Sequence, residues 1–117
     1  MNMERTIENL FIWTESRIVV NEIYKMLASN RDYGFKDQIQ RAAVSIMNNI
    51  AEGAESGSDA KFISFLNIAK GSCAEVRSML YLCEDLGYCT PEIRIELQNR
   101  IKKISAGSTR LIESLKQ

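Results

Sequence analysis

The sequence predicts an all-α protein, an antiparallel up-down-up-down four-helix bundle, and three observations carry that prediction. Helix breakers gather in three short clusters, at 29–34, 53–58 and 87–91, and proline occurs once. Between the clusters, apolar residues recur every three or four positions and do not alternate as in strands. Connections this short return each helix antiparallel to the one before it. A chain of 117 residues is expected to form one domain, residues 1–117, large enough to bury a core without metal or disulfide.

The first helix is expected over 7–28. Trp13, Val20, Tyr24 and Leu27 form one apolar stripe, and Ile12, Val19, Ile23 and Met26 form another beside it. The second helix is expected over 36–53. At about 100° per residue, its apolar residues from Ile39 to Ala51 sweep an arc of roughly 200°, about twice what a helix facing one core needs. The third is expected over 59–86. Ser58 and Asp59 suit its N-terminus, and Gly87 suits the left-handed position after its end. Phe62, Phe65, Leu66, Ala69, Cys73, Val76, Leu80 and Cys83 point to its core, and Ile68, Met79 and Leu86 widen that face. The fourth helix is expected over 91–115, with Thr90 as cap and Pro91 at the first helical position. Ile93, Leu97, Ile101, Ile104, Ser108, Leu111 and Leu115 make a single narrow seam along it.

Two of these faces exceed what one core requires. Ser64, Gly71 and Ser78 recur every seven residues on the far side of the third helix. Glycine inside a helix costs about 1 kcal/mol against alanine, so Gly71 implies a return from close packing. Val44, Met47, Ala51, Ser64, Gly71 and Ser78 are therefore the expected contact face for another copy of the chain. Asn49, at the edge of the second helix's apolar arc, and Glu52, further into its polar side, are expected to be partly buried hydrogen-bonding groups that hold this helix against a neighbour or the following turn.

Charge narrows the partners. Fifteen basic and fifteen acidic residues balance to zero, which argues against bulk nucleic acid or an anionic membrane as a partner held by charge alone. Residues 94–117 nevertheless hold six basic and two acidic residues, for a local charge of +4. Arg94, Arg100, Lys102, Lys103 and Arg110 form the candidate nucleic-acid contact if they share one exposed face. Pairing with Glu4, Glu8, Glu15 or Glu22 of the first helix would make them structural instead.

Chemistry is scarce. Histidine is absent, which removes histidine-dependent hydrolase triads and the usual zinc and di-iron motifs. Glu22 and Glu75 have no second carboxylate three or four residues away. No catalytic residue, metal site, cofactor or small-molecule substrate is expected. Cys73, Cys83 and Cys89 are odd in number and lack CxxC spacing, which suits free thiols in a reducing compartment. Cys73 and Cys83 stand about 15 Å apart along one helix, too far to bridge. No apolar run approaches the roughly 20 residues of a membrane span. The opening Met1-Asn2-Met3-Glu4-Arg5 lacks a signal-peptide pattern. The expected location is cytoplasmic.

A family resemblance follows from the middle of the chain. Gln38-Ile39-Gln40-Arg41-Ala42-Ala43-Val44-Ser45-Ile46, then Asn49-Ile50-Ala51-Glu52-Gly53, resembles the signature of the four-helix-bundle protein family whose members were first noticed inside intervening sequences of bacterial 23S ribosomal RNA genes. The match continues through Phe62 to Ser72, Glu75 and Asp85-Leu86-Gly87-Tyr88, with Leu10-Phe11-Ile12-Trp13 and Ile23-Tyr24 upstream. Met47-Asn48 stands where the family often has proline and serine, and Thr14-Glu15-Ser16 where it often has Gln-Lys-Ala. The resemblance implies a bundle that assembles into a ring-like homopentamer, and it does not imply an enzyme. A related group is similar to the accessory proteins of diversity-generating retroelements, basic pentameric barrels that bind a reverse transcriptase and nucleic acid. The expected function is a non-enzymatic, self-assembling scaffold or adaptor whose partner is RNA or an RNA-handling protein. The alternative is direct RNA binding through the basic fourth helix.

Overall fold

Capping residues set the ends of the helices. The computed structural model describes residues 6–117. Met1 to Arg5, on which the leader reading and any pairing by Glu4 rest, lie outside the described residues. A single 3-10 turn, Ile7–Asn9, precedes α1 (Phe11–Met26), α2 (Tyr33–Ala54), α3 (Asp59–Asp85) and α4 (Pro91–Leu115). The described residues contain no strand. Each helix packs on two neighbours, in the cyclic order α1–α2–α3–α4, and the backbones approach closely along these four edges and not across the diagonals. The result is a rod of 49 × 21 × 20 Å.

Ser58 accepts the Lys61 N–H at 3.1 Å and Thr90 accepts the Ile93 N–H at 3.2 Å, so α3 and α4 begin where expected. The other two starts differ. Leu10 is extended and offers no side-chain cap, which separates the 3-10 turn from α1. Asp32 accepts the Phe35 N–H at 3.2 Å. The breaker cluster at 29–34 therefore supplies a cap, and Tyr33 and Gly34 are the first residues of α2. Gly87, at φ +76°, closes α3. Its N–H reaches the Glu84 carbonyl at 2.9 Å, and the Tyr88 N–H reaches the Cys83 carbonyl at 2.8 Å. Those bonds satisfy carbonyls that the helix end leaves open.

The core runs the length of the rod through Val19, Ile23, Ile39, Ile46, Leu66, Val76, Leu80, Leu97, Ile101 and Ile104, all essentially inaccessible. Of the two stripes on α1, the one through Ile12, Val19 and Ile23 faces the core, joined by Ser16 and Leu27. Trp13 and Val20 are only half-buried and Tyr24 is exposed. Ser16 tolerates burial because its hydroxyl donates to the Ile12 carbonyl at 2.5 Å. On α4 the expected seam holds from Leu97 to Ser108, but Ile112 replaces Leu111 as the buried residue and Ile93 is exposed. A straight helix drifts about 20° per heptad against a 3.5-residue repeat, and the buried row drifts with it.

Candidate assembly and nucleic-acid surfaces

Hydrogen bonds orient α2 about its axis. Ser72 on α3 donates to Ser45 Oγ at 2.9 Å. Asn49 Nδ2 donates to the Ser45 carbonyl at 2.8 Å and to Ser45 Oγ at 3.0 Å. The flank carrying Ser45 and Asn49 therefore faces α3. At about 100° per residue, Val44, Met47 and Ala51 lie on the opposite flank, outside the arc that Ile39, Ala42, Ala43, Ile46 and Ile50 bury. All three are half-buried.

A similar argument orients α1. Arg100 on α4 reaches Glu15 at 3.1 Å. Trp13, Val20 and Tyr24 lie about 160° around the helix from Glu15 by the same periodicity. They share the side of the rod where Val44, Met47 and Ala51 emerge. The outward stripe of α1 and the excess width of α2 thus lie along the same α1–α2 seam, with Ala51 at its far edge, where it also lines a depression with Lys61 and Phe65 of α3.

Ser64, Gly71 and Ser78 behave differently. All three are exposed and point away from the bundle. Nothing lies within 4 Å of a Cβ placed on Gly71. Along the same outward face run Ile68, Leu82 and Leu86, exposed by 52%, 45% and 47%. The six residues expected to form one contact face are thus divided between two surfaces, one over the α1–α2 seam and one on α3. The helical phase of Ser45 and Ser72, invisible in a one-helix wheel, separates them.

The polar pair divides as well. Asn49 is partly buried, and its hydrogen bonds run to Ser45 within α2; it is Ser45 that bonds to Ser72 of α3. Glu52 is exposed, which corrects its reading as a partly buried group. Three residues beyond Asn49, a helix has turned a further 60° or so outward. Glu52 instead lines a shallow depression of about 620 Å³ with Glu55, Ser56, Lys61 and Phe65. Among the described residues no three cysteine, aspartate or glutamate side chains converge in metal-binding geometry.

The basic residues of α4 do not share a face. Arg94 donates to Glu84, which raises its already high pKa, and its NH1 donates to Gln98 Oε1 at 2.8 Å. Its guanidinium also stacks 4.9 Å from the centre of the Tyr81 ring. Gln98, 5% exposed, donates in turn to the Arg77 carbonyl at 3.0 Å. Arg100 pairs with Glu15, and with Glu96 at 3.8 Å. These two arginines tie α4 to α3 and to α1. Lys102, Lys103 and Arg110 are exposed and have no ion-pair partner among the described residues. Lys103 and Arg110, seven residues apart, share the outer face, while Lys102 sits about 100° away.

The α3–α4 turn is pinned to the start of α2. The Tyr88 hydroxyl donates to Asp32 Oδ2 at 2.7 Å, and its ring meets Phe35 edge-on at 5.3 Å. That bond, followed by the Phe35 N–H, holds the Asp32 pKa below its ordinary value, while Asp32 raises that of Tyr88. The depressed Asp32 pKa stabilises the fold above the unfolded carboxyl pKa of about 3.9, and the gain is lost as pH falls through the folded value. The raised Tyr88 pKa stabilises below about 10, and the gain is lost as pH rises through the folded value. Replacing Tyr88 with phenylalanine is expected to raise the Asp32 pKa, read by carbon-detected NMR titration. An unchanged Asp32 titration would remove the contact. No motif announced this pair, whose members lie 56 residues apart.

The fold and its outward faces define a small four-helix-bundle protein with apolar surface on two sides. The chain belongs to the 23S rRNA-intervening sequence protein family, whose model matches residues 8–109. It is similar to a solved protein of unknown function from the S23 ribosomal protein family of Bacteroides thetaiotaomicron VPI-5482, with 28% identity and a TM-score of 0.79. The likeness covers 86% of this chain and 97% of that one. No curated protein matches the chain. No helix among the described residues is long and apolar enough to cross a membrane.

Proposed function

We propose that this protein is a non-enzymatic, self-assembling scaffold or adaptor that closes into a homopentameric ring. One observation carries the proposal: a single protomer presents two different apolar surfaces that the described residues leave partly or wholly open. Identical patches give a two-fold dimer, whereas two distinct patches meeting head to tail give a ring when the rotation closes. Val44, Met47 and Ala51 would supply one side of the contact, and Ser64, Gly71 and Ser78 the other. The ring would present its partner, RNA or an RNA-handling protein, with several copies of each weak contact.

Direct RNA binding through α4 has narrower support. Arg94 and Arg100 are committed to ion pairs within the bundle. Lys102, Lys103 and Arg110 remain for phosphates, and a ring would multiply them. Light scattering tests both readings on the full chain. At micromolar concentration the expected mass is about five times the 13.3 kDa of one chain. Where the partner is an RNA-handling protein, added RNA alone should leave that mass unchanged at physiological salt. A monomer would overturn the scaffold reading, and a salt-sensitive mass increase with RNA would favour direct binding.

A further inference from the structure

The α3–α4 turn brings two of the three cysteines together. Cys83 lies in the last turn of α3 and Cys89 immediately before Thr90, the cap of α4. Between them Gly87 takes its left-handed conformation, and the Tyr88 N–H bonds back to the Cys83 carbonyl at 2.8 Å. This reversal carries Cys89 back over the helix end, where it packs against the core that buries Cys83.

Access differs between the two thiols. Cys89 is half-buried and lines an open cleft of about 510 Å³ between the end of α1 and the start of α4, with Met26, Tyr88 and Ile93. Cys83 is buried behind it. Cys73 is also buried, ten residues back along α3, and cannot join them. We propose that Cys83 and Cys89 form a reversible redox pair, in which a hydroperoxide entering the cleft oxidises Cys89 and Cys83 resolves it to an intramolecular disulfide.

The step balances. The deprotonated Cys89 sulfur attacks the terminal peroxide oxygen, an S–O bond forms, the O–O bond breaks, and an alcohol or water leaves. The Cys83 sulfur then attacks the resulting sulfenic sulfur. An S–S bond forms, the S–O bond breaks, and the departing hydroxide takes the Cys83 proton as water. The two thiols lose two electrons and the peroxide gains them. Burial pushes the Cys83 thiol up to about 12, which suits a group that reacts second. The bridge would fasten the end of α3 to the start of α4, beside the exposed Leu86 at the end of the α3 surface.

Peptide mapping of the intact chain decides the matter. Trypsin releases residues 78–94, which contain Cys83 and Cys89 and no internal lysine or arginine, separately from the peptide of Cys73. After brief treatment with hydrogen peroxide, denaturation and alkylation, the 78–94 peptide should be unalkylated and lighter by two hydrogens than its reduced form. A thiol reductant should restore both alkylation sites. Cys73→Ser should behave as the wild type does, and Cys83→Ser should leave Cys89 to advance to the sulfinic acid. A wild-type peptide with both thiols alkylated, or with Cys89 over-oxidised while Cys83 is alkylated, would overturn the pair. Each outcome is read within one chain, so it is independent of whether the ring forms.

Discussion

Alanine at Gly53 will destabilise the fold by about 1–3 kcal/mol, the usual cost of overpacking a filled core. The expected readout is a lower urea midpoint with an unchanged slope. Intrinsic propensity points the other way, since alanine gains about 1 kcal/mol over glycine in a helix. Packing decides the sign. A Cβ on Gly53 would lie 2.7 Å from Phe62 Cδ1 and 2.9 Å from Phe65 Cβ. The Phe62 ring is 2% exposed, and the space beside it is a small depression of about 160 Å³ that it lines with Gly53 and Gly57. The Phe65 Cβ is fixed to the α3 backbone and moves only if the helix moves. The added methyl must therefore part α2 from α3 close to their connecting turn. Gly34, also helical, is the control, because nothing lies within 4 Å of a Cβ there. Gly34→Ala should raise the midpoint. If Gly53→Ala raised it too, the close approach of α2 and α3 at this point would be disproved.

The contrast shows what the sequence could and could not reveal. Gly53 reads naturally as a residue that stops a helix, yet it is helical and buried, and its missing side chain makes room for Phe62. Single-helix patterns located all four helices, because breakers and caps act over three or four residues. They also located most of the core. They did not fix rotation between helices. Two stripes on α1 were visible, but only their burial in the assembled fold shows which one turns inward. The same limit merged Val44, Met47 and Ala51 with Ser64, Gly71 and Ser78. Contacts between distant residues were equally hidden. Asp32 looked like a turn residue and Tyr88 like a loop aromatic until the fold joined them. Cys83 and Cys89 were counted among three free thiols, because the reversal that turns Cys89 back toward the end of α3 depends on the left-handed Gly87.

Two arginine substitutions, mixed, will produce a species that neither produces alone. Gly71→Arg should abolish assembly, because arginine on the outward face of α3 fills the groove a neighbouring helix would enter. It should leave the protomer folded, since the space around Gly71 is open. Helicity by circular dichroism should be retained. Val44→Arg should do the same from the other surface, its long side chain reaching from a half-buried position to solvent. Each variant then keeps one intact surface, and the two intact surfaces are complementary. An equimolar mixture should scatter as a heterodimer of about twice the chain mass, because one head-to-tail contact forms and neither remaining face can extend it. An isologous interface gives a different result. If the α1–α2 surface paired with itself, Gly71→Arg alone would still dimerise. If both variants kept the wild-type mass, neither surface would lie in the assembly. A heterodimer from two monomeric variants requires that Val44 and Gly71 lie on opposite sides of the same contact.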